Sequence, residues 1–465
     1  FKLFYFKHKT KYNNFMKRFV LIFLILMSAQ CAFALDIVYP KKNNVVINAK
    51  SSFIVGSANP KKELTINGIK VNVHPSGGFA YVVPLKVGKN SFTIISDGEK
   101  LIYDITKPAP GASANPAAPA ALKEYEDLKY AQVVNENSPL RSTAVNSGIN
   151  RIAHLQKDMP LVLDGEKGSF YRTILGSMKT GWIAKSDVKL IDSGASLAEL
   201  KGYDTLDTPE FNIYVFHLNK MIPYELVEGS PFIVRLFNVE NNPENTYELK
   251  IPQQRLYGYS ARFSGTDFVV KIRKVPPVDK SHPLKGINIT VDAGHGGNES
   301  GAIGCLGNLE KNTNLEFSRF LADELKRRGA NVSMTRNDDS AVGLRERVEF
   351  ANEEDSMILI SLHGNSLPDG ADPIANNGTE IYYYYNQAKP LADSILKEIV
   401  SQTGMNDHKV RQSSLALVRN TNALSILIEL GYMINPSDNS KLVDKEFQKK
   451  AVKAIADGIE SFLKI

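Results

Sequence analysis

Cysteine is almost missing from this chain: 465 residues contain only Cys31 and Cys305. The first lies in a segment read below as a leader, so the remainder cannot close an internal disulfide even in an oxidising compartment. Stability has to come from packing. Tryptophan is scarcer still, with Trp182 alone. Charge of one sign is lacking too, once its location is known. Residues 1–34 hold Lys2, Lys7, Lys9, Lys11, Lys17 and Arg18 with no Asp or Glu, which accounts for the whole formal excess of +6. The rest balances 50 basic against 50 acidic residues. Bulk charge therefore makes no case for nucleic acid or an anionic membrane surface as a partner. The apolar run at residues 19–27 falls short of the ~20 residues that a bilayer requires. The glycines fit neither GxGxxG nor GxxxxGK[ST], and no HExxH occurs, which removes the usual phosphate cradles and the helical zinc motif.

What remains is modular. A chain of this length divides into about three or four units, and 43% hydrophobic with 23% charged residues is an ordinary globular composition. Because the first residue is Phe1, Met16 reads as the natural start. From there MKRFVLIFLILMSAQCAFALD has a basic pair, an apolar run and Ala32-Phe33-Ala34 as a small-x-small cleavage site, which is the pattern of a secretory leader. Lipidation of Cys31 is disfavoured by the bulky Gln30 before it. The expectation is export across the inner membrane to periplasm or cell wall, with no stable span after cleavage.

Three β-rich stretches follow. Residues 36–107 show short alternating runs, with Asn67-Gly68 between LTI and IKV as the hairpin turn in which both central residues take positive φ. This stretch resembles immunoglobulin-like modules. Residues 108–130, beginning PAPGASANPAAPAA, read as a Pro/Ala linker. Residues 131–192, with GEKGSFYRTIL and GWIAKSDVKLI, resemble bacterial Src-homology-3-like barrels, and Trp182 is read as a packing residue or a ligand platform. Residues 200–275 contain FNIYVFHL, PFIVRLFN and FVVKIRKV, a further β module that faintly resembles envelope-targeting domains. His217, alone in its strand, is read as structural.

From residue 286 the texture alternates between β and α. Strands are predicted at INITVD, ANVSMTR, MILISLHG, TEIYYYY, LALVRN and SILIEL, and helices at 313–328, 343–352, 390–403 and 447–462. The last helix puts Phe447, Ala451, Ile455, Ile459 and Phe462 on one stripe. Such alternation builds a mostly parallel sheet flanked by helices, so the chain is multidomain: three small all-β modules, then an α/β domain.

In open α/β sheets, ligands gather beyond the carboxyl ends of the strands. His295 follows INITVD, His363 follows MILISL, Glu429 ends SILIEL, and Glu310 stands in the connection leaving the first strand. Each has an ordinary structural explanation alone, as a helix cap or a strand-end hydrogen bonder. Together they share one rim, and two histidines with a carboxylate make a hydrolytic zinc set that leaves the fourth position to water. Glycines at 294, 296 and 297 permit a sharp turn that exposes the imidazole.

These residues sit in phrases that resemble one family. VDAGHGG, GAIGCLGNLEKNTNL, MTRNDD with GLRERVEFAN, ISLHGNS, NGTEIYYYY and VRNTNALSILIELGYMINPSDNSKL are similar, in order, to the zinc-dependent N-acetylmuramoyl-L-alanine amidases of the type-3 fold, over residues 286–465. Departures at Ala293, Gly364 and Leu309, in place of proline, alanine and an aromatic, remove no ligand. The resemblance implies that His295, Glu310 and His363 bind one Zn2+, that Glu429 is the catalytic acid/base, and that the substrate is peptidoglycan, cut between N-acetylmuramic acid and L-alanine. Other envelope proteins are possible partners of the β modules. The alternatives are a non-catalytic wall-binding scaffold and a zinc peptidase or deacetylase acting on another amide. Arg336 and Arg345 are read as structural, Asn365 as orienting substrate or holding a turn, Glu380 as a possible substrate-side residue, and Cys305 as a small packed residue. The connection 364–378, with Pro368, Gly370 and Pro373, leaves no room for the long plugging helix that some family members insert there.

Overall fold

A computed structural model describes residues 34–110, 120–194 and 197–464. The leader, Cys31 included, and the middle of the linker lie outside the described residues. Among the described residues no helix is long and apolar enough to cross a membrane.

The N-terminal unit is a sandwich. Strands Asp36–Tyr39, Ser51–Ser57 and Gly78–Pro84 form an antiparallel sheet, and a five-stranded sheet faces it. Alternate residues of both sheets bury Ile54, Phe79, Ile94 and Ile105 completely in one core, the burial expected of period-2 strands. The Asn67-Gly68 turn has φ of 50° and 79°, as the hairpin reading requires.

The linker boundary needs correction. Lys123–Val133 is a strand, so residues 123–130 belong to the seven-stranded barrel-like sheet and not to the linker. Its side chains are charged and largely exposed, and backbone pairing with Pro160–Lys167 holds it there. Composition therefore concealed it. The second and third β modules also share one hydrophobic cluster, with Leu140, Leu155 and Leu163 packed into the same core as Phe216, Phe232 and Phe268. Trp182 stands half-buried, opposite Arg141 and Arg172 on neighbouring strands. His217 is bracketed by Asp204 at 3.0 Å and Asp267 at 3.1 Å, a cross-strand surface arrangement.

The C-terminal unit carries a six-stranded sheet in the spatial order Asn331–Met334, Asn288–Ala293, Ile358–Asn365, Leu424–Tyr432, Thr379–Tyr383, Asp407–Gln412. Neighbours run parallel except where Thr379–Tyr383 meets Leu424–Tyr432. Ile358, Leu359 and Ile360 are fully buried, as expected of a strand covered on both faces. Helices Glu310–Arg327 and Lys445–Leu463 lie on it through Phe317, Leu321, Ile455, Ile459 and Phe462. Phe447 is only partly buried at the end of its stripe.

The expected strand LALVRN is instead a 3-10 turn, Leu417–Arg419, with Leu417 and Val418 buried. The edge strand is Asp407–Gln412, whose DHKVRQ sequence is mostly exposed. An edge strand covered on one side carries little apolar signal, whereas two buried side chains in a turn mimic one. A short helix, Pro436–Leu442, was also not foreseen. Its signal was present: Asn435 caps it by accepting from the Ser437 and Asp438 amides, and proline occupies the first turn.

Glu228 lies where the third β module meets the catalytic domain and accepts from the Gln387 amide at 3.2 Å. Burial pushes its carboxyl up to about 7, although that amide and the Tyr259 hydroxyl favour ionisation. Between the ordinary carboxyl range and 7 the folded protein keeps a proton that the unfolded chain has lost, so stability falls as pH rises across that window. Glu228→Gln should stabilise the folded protein more at pH 8 than at pH 5, by a difference in unfolding free energy capped near ~3 kcal/mol, and so raise the unfolding temperature more at pH 8. Thermal melts at the two pH values check this, and an unchanged gap would mean that the carboxyl is ionised throughout.

Candidate active site

The parallel register sets His363 beside Glu429 at the carboxyl ends of two adjacent strands. His295 lies two residues past the end of the Asn288–Ala293 strand, on the other side of His363. Glu310 is the first residue of the following helix, one turn earlier than its expected start. The four predicted site residues therefore converge on one cavity of about 600 Å3.

Glu310 is the hub. Its Oε1 lies 3.1 Å from His295 Nε2 and 3.0 Å from His363 Nδ1, and the two rings cross at 77° with centroids 4.9 Å apart. One ligand atom from each of the three residues can be chosen so that all lie within 4.8 Å of one another. Glu310 is itself oriented: Oε2 accepts from the Ala302 amide at 2.7 Å, and Oε1 from the Gly364 amide and the Asn314 side chain at 3.2 Å each. Burial opposes its ionisation, but the two imidazoles overcome this and hold its carboxyl well below the ordinary range. His295 is pushed up chiefly by its bond to Glu310. Burial pulls His363 down, and Glu310 with Glu429 more than reverse it. A buried carboxylate that favours the charged form of two adjoining imidazoles has the electrostatics of a cation site.

Glu429 is in the opposite situation. Burial pushes its carboxyl up to about 7, helped by Glu310 and Glu380 and opposed by His363. Its Oε2 is buried with no hydrogen-bond partner among the described residues. An orphaned carboxyl pushed up by burial beside a cluster of metal-ligand type marks a candidate for proton-transfer chemistry.

The turn that carries His295 is fastened from beneath. His295 has φ +61°, an unusual conformation for a side-chain-bearing residue. Arg347 donates to the carbonyls of Ala293 at 2.7 Å and His295 at 2.8 Å, and Arg336 to those of Ala293 at 2.8 Å and Gly294 at 2.9 Å. Arg347 also pairs at 2.7 Å with Asp292, which accepts from Thr335 and Ser361 as well. Both partners are buried, at 3% and 1% exposure. Two glycines are obligatory. A Cβ on Gly294 would stand 2.3–2.7 Å from the His363 ring, and one on Gly301, at φ +65°, would stand 2.4 Å from Glu310 Oε2.

The remaining candidates divide. Arg336 is a buried fastener, whereas Arg345 is exposed and pairs with Glu349. Asn365 holds its turn by accepting from Ser366 and donates to Glu380. Glu380 is buried and ion-paired with Arg411. Cys305 is buried, donates to Asn439 and has its thiol pushed up to about 12 by burial. Asp292, Arg347, Asn314 and Glu299, which lies 3.2 Å from His295 Nδ1, escaped sequence reasoning. Only Asn314 carried a readable signal, one turn after Glu310 on the same helix face.

The sequence profile of the N-acetylmuramoyl-L-alanine amidase family matches residues 289–461. The uncharacterized protein YqiI of Bacillus subtilis is 37% identical over 191 residues, covering 40% of this chain and 90% of YqiI. N-acetylmuramoyl-L-alanine amidase LytC of the same organism is 34% identical over 39% of this chain, which spans only 36% of LytC. Among solved structures, the amidase AmiC2 of Nostoc punctiforme is 32% identical, covering 40% of this chain and 99% of that one, with a TM-score of 0.37.

If Gly294 is needed for the approach of His363, Gly294→Ala should leave the fold intact but weaken divalent-metal retention by at least ~10-fold, the scale seen when ligand support is lost. Metal content after dialysis, alongside circular dichroism, measures it, and full retention would show that the ring can yield.

Proposed function

This chain belongs to the N-acetylmuramoyl-L-alanine amidase family, and on that premise we propose that it is a peptidoglycan hydrolase of the cell envelope that cleaves the amide between N-acetylmuramic acid and the L-alanine of the stem peptide. The observation that carries the reading is the pairing of the His295–Glu310–His363 cluster with the buried, half-protonated Glu429 in one cavity. The donor set fits zinc: two imidazoles and a carboxylate, with Glu310 steadied by three further donors and His295 by Glu299 and its fastened turn. Bound there, Zn2+ would supply Lewis acidity toward the scissile carbonyl and acidify a water.

The protein's own groups account for the proton traffic. Glu429, near 7, accepts a proton from the attacking water and returns it to the departing L-alanine nitrogen. Its unpartnered Oε2 faces no competing donor among the described residues. The ion pair of Glu380 with Arg411 keeps one neighbouring carboxylate neutralised, which limits how far Glu429 is driven toward the protonated form. Retention of the whole set favours a working enzyme over a wall-binding scaffold. No helix fills the connection 364–378 among the described residues, consistent with the absence of a plug of that kind.

Zinc-loaded protein should release stem peptides with a free L-alanine amino terminus from purified peptidoglycan, as read by mass spectrometry; release of acetate or of internal peptides would identify a different amidohydrolase. Chelation should abolish the activity and zinc restore it. Metal affinity should fall as pH drops through the raised imidazole values, because protons compete more strongly for both ligands. Glu429→Gln should keep its zinc and lose ~10²–10⁴-fold in turnover, and undiminished turnover would remove Glu429 from the mechanism.

A further inference from the structure

The cavity over the His295–Glu310–His363 cluster is not built by the catalytic domain alone. Val38, Tyr39, Lys41 and Phe53, from the N-terminal sandwich, line it together with His295, Glu310 and His363. The sandwich is seated firmly. Val38, Phe53, Val55 and Ala80 share a buried cluster with Cys305 and Ile434. Tyr39 Oη donates to Asp369 at 2.8 Å and Ser52 Oγ to the same carboxylate at 2.6 Å. Asp369 belongs to the short connection after the His363 strand, so the clamp grips the rim of the site itself. At Gly78 the two units touch so closely that a Cβ would stand 2.5 Å from Cys305 Sγ.

The chemistry of this wall is specific. Tyr39, Phe53 and Val38 give it an apolar face, and Lys41 is the one ammonium among the described lining residues, with Arg absent from that lining. Lys41 is exposed and has no ion-pair partner among the described residues. A stem peptide is anionic, with a carboxylate only a few bonds beyond the scissile amide. Resting on the amidase reading above, we propose that the N-terminal sandwich is a fixed wall of the substrate cleft, with Lys41 as a specificity-determining residue that meets a stem-peptide carboxylate and the Tyr39–Phe53 face bounding the bound muramyl peptide. The cavity of about 600 Å3 is of the size that encloses one small ligand, so the wall admits a single muramyl-peptide unit beside the site. A cation at the rim of a partly apolar cleft gains more from pairing than one on an open surface.

The test uses the zinc-loaded full chain carrying Glu429→Gln, so that binding is read without turnover. Calorimetry compares muramyl-L-alanyl-D-isoglutamate with the counterpart in which both glutamyl carboxyls are amidated. The parent should bind the carboxylate form about 5-fold more tightly than the amide. Lys41→Glu should erase or invert that preference while changing affinity for the amide less than about twofold. Gly78→Leu, which wedges the two units apart, should weaken both ligands while the melting of the catalytic domain is preserved. Equal effects of Lys41→Glu on both ligands, or none, would overturn the proposal. So would faster digestion of peptidoglycan by a Gly78→Leu chain with Glu429 intact, since the sandwich would then be a lid and not a wall. Lys41-dependent binding without amide cleavage by the zinc-loaded chain that keeps Glu429 would sustain the wall and dismiss the amidase reading; cleavage by that chain without Lys41-dependent binding would do the reverse.

Discussion

Asp292 and Arg347 form an ion pair sealed beneath the turn that presents His295, and the geometry of the site is downstream of it. Burying two charges is costly, and it is tolerated where every remaining hydrogen-bonding position is filled. Here Thr335 and Ser361 complete the carboxylate, and carbonyls of residues 293, 295 and 342 complete the guanidinium. Those carbonyls belong in part to the turn itself. The desolvated pair thus holds a strained backbone in place, and removing one partner would leave the other buried and uncompensated, at ~3–5 kcal/mol. Arg336, alongside, makes the fastening redundant at Ala293 and extends it to Gly294.

From that anchored turn the electrostatics follow by contrast. Glu310 and Glu429 are both buried glutamates facing the same cavity, yet their protonation is driven in opposite directions. Glu310 sits between two imidazoles and three further donors, which outweigh its desolvation. Glu429 has burial and two like-charged neighbours against it. One environment suits a ligand that stays ionised and the other a group that exchanges protons near neutrality. Separation of two carboxylates in this way needs no special residue type, only the placement that the parallel register and a helix start impose.

The β modules show how far burial alone organises a chain with no disulfide among its described residues. The barrel-like sheet and the third module merge their cores, and Tyr259 donates its amide to Thr421 at 2.8 Å in the catalytic domain. The sandwich takes a different seat, at the rim of the cleft. Sequence modules separated by a linker are thus joined in space by apolar contact, which needs no local signature in the residues that make it.

Alternation of apolar residues, turn chemistry at Asn67-Gly68 and the ordered phrases from residue 286 onward determined much by themselves: the β modules, most of the α/β elements, and the four residues that meet at the strand ends. Periodicity reports which face of an element is buried, and strand-end position reports which residues share a rim. The charged strands at 123–133 and 407–412 were invisible because their backbones, not their side chains, hold them in the sheet. Tertiary structure alone decided that Arg347 reaches under a turn 52 residues away, that Gly294 must yield space to His363, and that Lys41 of the first module faces a site more than two hundred positions later. Those are contacts between elements that are remote in the chain, and their partners are set by how layers pack, a quantity that no local pattern encodes.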